Sequence, residues 1–169
     1  MSTILIALRI IHILAGVYWV GAALMMNFFI GPSVGATGEA GRQFIGHIMA
    51  KTKFSTSMTY AVILTLGAGT FLYSIDSKGF SSAWMASSPG IVFGVGSIFG
   101  LIGGVVGFMN GANNRKLGAL GAQIQGKPTP EQMAQIQAVQ KQQAVIIPLN
   151  TYSLLIATLC MASARYFTF

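Results

Sequence analysis

An arginine and a histidine lie inside the first apolar stretch of this chain, at Arg9 and His12. Ionisable side chains are costly in hydrocarbon, and those found there usually face the interior of a helix bundle. At ~100° per residue, both fall within an arc of roughly 80° on one helix. The same arc carries four further residues, and the set is Arg9, His12, Gly16, Trp19, Ala23 and Asn27. The spacing therefore predicts one continuous seam of polar and small residues.

This seam contains the residue types that a planar metal cofactor requires. The imidazole of His12 can ligate a metal, and Gly16 one turn later leaves room for a ring. Trp19 could stack on that ring, and the guanidinium of Arg9 could bind a carboxylate such as a haem propionate. One hypothesis is therefore a haem b with His12 as its metal ligand and Arg9, Gly16 and Trp19 as further contacts. The alternative is that His12 and Arg9 hydrogen-bond to neighbouring helices or reach the membrane surface.

The rest of the chain offers no second ligand that matches His12. The other histidine, His47, belongs to the first loop and is predicted to lie on the opposite side of the membrane. A haem at His12 would then use a methionine, a lysine or water as its sixth ligand, or none. Methionines such as Met58, Met109 and Met161 are too numerous to single one out.

The composition predicts that the seam lies on a membrane-spanning helix. Hydrophobic residues make up 53% of the 169 residues and charged residues only 8%, against roughly 25% charged in soluble domains. Four apolar stretches, at about 4–30, 56–74, 90–110 and 144–166, approach the ~20 residues needed to cross a bilayer. We expect an all-α, membrane-spanning four-helix bundle that forms a single domain over residues 1–169. The first stretch is too long for the apolar core of a signal peptide.

The basic residues predict the orientation of the bundle. The formal charge of +7 comes from residues that flank apolar spans, so it indicates topology and anionic-lipid contact rather than nucleic acid. Seven of the ten basic residues lie in the first and third loops: Arg42, Lys51, Lys53, Arg115, Lys116, Lys127 and Lys141. We therefore predict a multi-pass protein of the bacterial inner membrane, with these loops in the cytoplasm and both termini outside.

The third loop itself has helical signals. Apolar residues continue at helical spacing from the third span as far as Ile124, and Thr129-Pro130-Glu131-Gln132 has the pattern of a capping box. Helices 3 and 4 are therefore expected to extend into a cytoplasmic hairpin, which would be either a simple stalk or a docking surface for a partner subunit. The first loop is expected to run from Gly31 to Ser55 and to be helix-compatible from about Gly38.

Two further features limit the function. Glycines recur every four residues in the third span, from Gly96 to Gly104 and from Gly103 to Gly111, which favours close helix packing within the bundle or between subunits. A flat pigment, a quinone or a lipid chain could use the same groove. The three acidic residues, Glu39, Asp76 and Glu131, are all predicted to lie in loops, so a proton pump with a carboxylate relay is disfavoured.

The segment from Leu8 to Gly21 resembles the opening helix of a group of small bacterial membrane proteins. The resemblance lies in the apolar-His pair at 11–12 followed by Trp19-Val20-Gly21. The group includes copper-resistance protein D-type domains and HemJ-type protoporphyrinogen oxidases. It implies a bundle of four or more helices and, for some members, a b-type haem on the histidine that matches His12. After Gly21 the segment Met25 to Ile30 departs from the oxidase pattern, and no Met-x-Met or His-rich cluster supports copper handling.

Two functions follow from these observations. One is a small membrane protein that binds haem b and takes part in membrane redox chemistry. The other is a non-catalytic accessory subunit of a larger energy-converting membrane complex, or a homo-oligomer, that packs through its glycine-rich face and its hairpin. A permease is the weaker third alternative, because broken helix pairs and midplane polar residues are largely missing.

Overall fold

The computed structural model describes residues 3–124 and 126–169, and these contain helices and no strand. The all-α prediction is confirmed. A π-helical turn, Met26–Ile30, joins the first two helices, and a 3₁₀ turn, Ala164–Tyr166, follows the last. The helices are α1 (Thr3–Met25), α2 (Gly31–Thr37), α3 (Glu39–Lys51), α4 (Phe54–Asp76), α5 (Ser82–Met85), α6 (Ser88–Gln123) and α7 (Pro130–Ser163).

Four helical segments are long and apolar enough to cross a membrane. They are Thr3–Thr37, Phe54–Asp76, Ser88–Gln123 and Pro130–Tyr166. Each contains one of the four predicted spans. The third helix continues to Gln123, beyond the predicted end of its span at 110, and the fourth begins at Pro130, ahead of the predicted start at 144. Length and composition thus indicate a membrane protein with four candidate spans.

The four long helices form two antiparallel pairs. In the first pair, Arg9 lies beside Asp76, and Tyr18 donates or accepts a hydrogen bond with Ser57 at 2.7 Å. In the second, α6 packs along α7 over most of its length. Contacts of α4 with α6 and of α1 with α7 close the bundle. Residues near Thr3, Asp76 and Tyr166 form what we call the terminal end of the bundle, and the opposite end is the hairpin end.

The α6–α7 pair includes a polar segment, which we call the polar hairpin, made of residues 110–124 and 126–143. The predicted capping box is confirmed at its second helix, where the Thr129 side chain accepts from Gln132 N and the Gln132 side chain accepts from Thr129 N. Leu120 of α6 and Val139 of α7 are both buried in this segment. Gln143 donates to Asn110 Oδ1 at 3.1 Å and to Asn114 Oδ1 at 2.7 Å, which ties the base of the hairpin together.

The core is centred on Trp19, which is only 3% exposed. Its neighbours are Ala61 and Val62 of α4 and Leu154 of α7. The glycines of α6 make this packing possible, because a Cβ at Gly103 would lie 2.6 Å from Leu154 Cδ2 and one at Gly104 would lie 2.9 Å from Leu66 Cδ1. These two glycines therefore pack inside the chain, which is one of the two arrangements that their spacing predicted.

The prediction of a loop that begins at Gly31 is wrong for its first seven residues. Gly31–Thr37 is helical rather than irregular, although Gly-Pro usually marks a break. Pro32 sits in the first turn of α2, where its missing N–H costs little, and the Gly31 N–H bonds to Met26 O across the π-helical turn. The chain reverses at Gly38, whose φ of +58° suits a residue without a side chain. From Glu39 onward the predicted helix is present as α3.

Candidate functional site

At the terminal end of the bundle, the predicted seam of α1 faces α4. Arg9 Nη2 lies 3.6 Å from Asp76 Oδ1, and the two side chains are 25% and 32% exposed. Asp76 is the last residue of α4, so this helix ends two residues later than the predicted span, which ended at 74. Glu39 and Glu131 lie in the first turns of α3 and α7, the helices expected within the first and third loops, where the helix dipole favours a negative charge.

His12 makes a defined contact one turn further along. Its Nδ1 lies 2.8 Å from the carbonyl oxygen of Thr65 in α4. A carbonyl only accepts hydrogen bonds, so Nδ1 carries the hydrogen and donates it. In the neutral imidazole Nε2 then keeps its lone pair, which is the tautomer that metal-ligating histidines usually adopt when Nδ1–H bonds to a backbone carbonyl.

Gly69 is the residue that lets the imidazole reach α4. A Cβ at position 69 would lie 2.8 Å from His12 Cε1 and 3.0 Å from His12 Nδ1, closer than real Cβ atoms normally come. Neither Gly69 nor Thr65 was singled out as a partner of His12 from the sequence. The only signal was a shared pattern of small and hydroxyl residues along the second span, which does not say which of them meets the histidine.

Gly16 and Trp19 contact protein in this arrangement. A Cβ at Gly16 would lie 3.6 Å from the methyl group of Thr65, which is ordinary van der Waals contact. A flat ring needs about that distance on each of its two faces, so a porphyrin does not fit between α1 and α4 at Gly16. Trp19 is enclosed by the core. Of the four predicted site residues, His12 alone retains a feature, its Nε2 lone pair, that a metal could use.

Thr65 is unusual among the threonines of the long helices. Thr59, Thr70, Thr151 and Thr158 each donate to the carbonyl four residues earlier, as expected for hydroxyls inside helices. The Thr65 hydroxyl is buried and has no hydrogen-bond partner among the described residues. This hydroxyl lies beside Gly16. Thr65 therefore accepts a hydrogen bond from His12 at its backbone carbonyl while its own hydroxyl is left without a partner among the described residues.

The other predicted features around His12 separate in space. His47 is exposed on α3, which leads into α4 at the hairpin end, whereas His12 lies toward the terminal end. Within residues 3–124 and 126–169 no group of three or more His, Cys, Asp and Glu side chains is arranged to hold a metal ion. A haem at His12 would thus have His12 as one ligand and a methionine, a lysine, water or nothing as the other.

Two carboxylates at the hairpin end have altered acidity. The pKa of Glu39 is lowered, first by hydrogen bonds from the Arg42 guanidinium, which lie at 2.9 and 3.1 Å, and then by one from Gln43. The pKa of Glu131 is also lowered, by a hydrogen bond from its own backbone amide and by one from Thr129. Both side chains are exposed, so they belong to a polar, charged surface rather than to a buried catalytic site.

A small cavity that the sequence did not predict lies at the terminal end. It has a volume of about 250 Å³ and is lined by Asp76, Trp84, Pro89, Phe93 and Arg165. The Trp84 and Phe93 rings are nearly parallel, with centroids 6.4 Å apart, and Tyr73 meets Trp84 edge-on at 5.3 Å.

Comparison of the chain with protein-family models, with curated proteins and with solved structures finds no match. The resemblance of the first helix to the copper-resistance protein D-type and HemJ-type group therefore stays a prediction.

Proposed function

We propose that the chain is a multi-pass protein of a bacterial inner membrane, whose four long helices cross the bilayer. Four candidate spans support this placement. The charge distribution supports an orientation with both termini outside, because seven of the ten basic residues belong to the hairpin end or to the segment that includes α3 and the start of α4.

Within that membrane, we propose that the protein is a non-catalytic accessory subunit of a larger complex. The observation that carries this proposal is the polar hairpin, a paired extension of α6 and α7 that a bilayer-spanning bundle does not itself need. Its four basic side chains, Arg115, Lys116, Lys127 and Lys141, are all exposed and are accompanied by one acidic residue, Glu131. A partner with an acidic surface would complement this charge.

The internal contacts of the spans support the same function. The ion pair of Arg9 and the hydrogen bond of His12 are both used to join α1 to α4. Asn150 donates to Gly103 O at 2.6 Å and joins α7 to α6 in the same way. These polar groups stabilise the bundle, which is the role expected of a structural subunit.

Purification from membranes in a mild detergent tests this function. We expect a complex larger than one chain by native mass spectrometry, and we expect the double variant Arg115→Glu/Lys116→Glu to lose the partner. Lys78→Glu, the same charge reversal at the terminal end, should retain it. Because contacts between exposed charges are screened by salt, raised ionic strength should also weaken the complex. A solitary monomer, or equal behaviour of the two variants, would contradict the accessory function.

A second candidate function rests on the tautomer of His12. The Nδ1 bond to Thr65 leaves Nε2 as the nitrogen that could ligate haem b, with redox chemistry in the membrane as the consequence. Arg9 and Trp19 would not contact such a group without a change in packing, since Arg9 pairs with Asp76 and Trp19 is part of the core. The purified protein should then show a Soret band that His12→Ala abolishes and His47→Ala leaves unchanged. Absence of the band, or its persistence in His12→Ala, rejects this candidate.

A further inference from the structure

The cavity at the terminal end combines two opposite charges with an aromatic wall. Asp76 supplies a carboxylate from the end of α4, and Arg165 supplies a guanidinium from the turn that follows α7. The two do not form an ion pair with each other. Asp76 is engaged by Arg9 of α1, while the Arg165 side chain has no hydrogen bond or ion pair among the residues that the structure describes. Trp84, Phe93 and Pro89 complete the lining.

The wall of this cavity is held in place by close contacts. Ser87 caps α6 by accepting from the Gly90 N–H, and a Cβ at Gly90 would collide with the carbonyl oxygen of Trp84. The Tyr73 hydroxyl donates to Gly90 O at 3.4 Å, and the Tyr73 ring packs on Trp84. The segment that carries Trp84 is therefore fixed against both α4 and α6, so the fold holds the aromatic side of this open cavity in place, while Arg165 on its other side is solvent-exposed.

Size, charge and position together indicate one kind of ligand. At about 250 Å³ the cavity is smaller than the roughly 300–1,000 Å³ typical of sites for drug-sized molecules. A guanidinium binds phosphate through paired hydrogen bonds, whereas a carboxylate accepts charge-assisted hydrogen bonds from a primary ammonium group. Asp76 ends a candidate span, and Tyr73, Phe80 and Trp84 cluster there in the way that aromatic residues cluster at membrane interfaces.

We propose that this cavity binds a phosphoethanolamine group, with its phosphate at Arg165 and its primary ammonium at Asp76. A phosphatidylethanolamine headgroup at the membrane surface is the source that the interfacial position favours, and a free phosphoethanolamine compound has the same chemistry. Phosphatidylcholine fits less well, because its trimethylammonium group has no N–H to donate to Asp76. Phosphatidylglycerol provides no cation for Asp76. The lipid source rests on the membrane placement proposed above, whereas binding of the free compound does not.

Trp84 provides a direct readout, because it lines the cavity while Trp19, the other tryptophan, is enclosed in the core. The protein is placed in phosphatidylcholine nanodiscs with an increasing fraction of phosphatidylethanolamine or of phosphatidylglycerol, and tryptophan emission is recorded. A second arm titrates glycerophosphoethanolamine and glycerophosphocholine onto the protein in detergent. We expect the ethanolamine form to be preferred over the choline form by about tenfold or more, as a hydrogen bond between charged groups implies. Trp84→Phe should remove the fluorescence change.

Variants separate the two charges from general folding effects. Asp76→Asn should abolish the preference for ethanolamine over choline, while Arg9→Gln, which breaks the same ion pair but keeps the carboxylate, should retain it. Arg165→Gln should weaken binding of both headgroups about tenfold or more, and Lys78→Gln, which removes an exposed cation at the same end but outside the cavity, should not. Circular dichroism checks that each variant is folded.

The outcomes are decisive in each arm. Preference for ethanolamine in both arms supports the proposal with either source, and preference in detergent alone supports the free compound as the ligand. The proposal is overturned if neither arm distinguishes ethanolamine from choline, if phosphatidylglycerol is bound as well as phosphatidylethanolamine, or if Asp76→Asn and Arg9→Gln behave alike. Insertion into nanodiscs is measured separately, so a failure of membrane placement is distinguishable from a failure of headgroup binding.

Discussion

The contact between His12 and Gly69 makes the substitution Gly69→Ala the sharpest test of how α1 joins α4. The new methyl group would lie 2.8 Å from Cε1 and 3.0 Å from Nδ1 of the imidazole. The ring is held by its 2.8 Å bond to the Thr65 carbonyl. It can move away from the methyl group only by lengthening or losing that bond, so the substitution should disturb packing and hydrogen bonding together.

The size of the effect can be worked from these contacts. Overpacking a well-packed site typically costs about 1–3 kcal/mol, and a lost hydrogen bond adds about 0.5–1.5 kcal/mol. Replacing glycine by alanine within a helix returns roughly 0.5–1 kcal/mol. We therefore expect Gly69→Ala to lower the free energy of unfolding by about 0.5–4 kcal/mol.

The assay is reversible unfolding of the purified protein in mixed micelles, followed by circular dichroism, with a matched control on the same helix. Outside the backbone of its own helical turns, no atom lies within 4 Å of the Cβ position of Gly67. Gly67→Ala should therefore be neutral or stabilising by up to about 1 kcal/mol. In a His12→Ala background the imidazole is gone, so Gly69→Ala should lose its cost. Equal stability of Gly69→Ala and Gly67→Ala, or a cost that persists without His12, would refute this reasoning.

Three further predictions concern the ends of the helices. Thr129→Ala removes half of the capping box of α7 and should cost about 1 kcal/mol, seen as faster amide exchange in the first turn of α7; unchanged exchange would argue against the cap. Arg9→Gln and Asp76→Asn, singly and combined, should give a coupling energy of at most about 1 kcal/mol in a double-mutant cycle, because both side chains are partly exposed. A coupling of several kcal/mol would show instead that the pair is shielded from water. Because Arg42 lowers the pKa of Glu39, their contribution to the stability of α3 should be complete above the ordinary pKa of 4.5 and be lost as the pH falls through the lowered value. The protection of the α3 amides against exchange, measured relative to the intrinsic exchange rate at each pH, should fall only at a pH below the lowered pKa of Glu39. A similar pH-dependent loss of protection in Arg42→Gln would contradict the assignment.

Features that depend on neighbouring residues in the chain were predictable from the sequence. The apolar stretches locate the four long helices, because a run of about 20 apolar residues has few other stable arrangements. The capping box at Thr129 was also predicted, since its partner is only three residues away. The prediction failed at Gly31 and Pro32, where the local pattern suggests a break but the chain continues through a π-helical turn into α2. Contacts of that turn with α7 form only in the bundle.

The terminal-end cavity shows the opposite case. Asp76, Trp84 and Arg165 come from three parts of the chain and are brought together only when α4, α5 and the end of α7 meet. Their spacing in the sequence carries no sign of a shared site. The same holds for Gln143 and its two asparagine partners, which are separated from it by 29 and 33 residues.

The seam of α1 shows what the sequence determines and what only the tertiary structure determines. The sequence by itself establishes that Arg9, His12, Gly16 and Trp19 share one face, because an α-helix turns by a constant angle per residue. Only the tertiary structure decides what that face meets. The partner of His12 lies 53 residues away in α4, and the register between two helices depends on how the side chains of both interlock. Gly69 allows that approach, and its importance is therefore visible only once α1 and α4 are packed together.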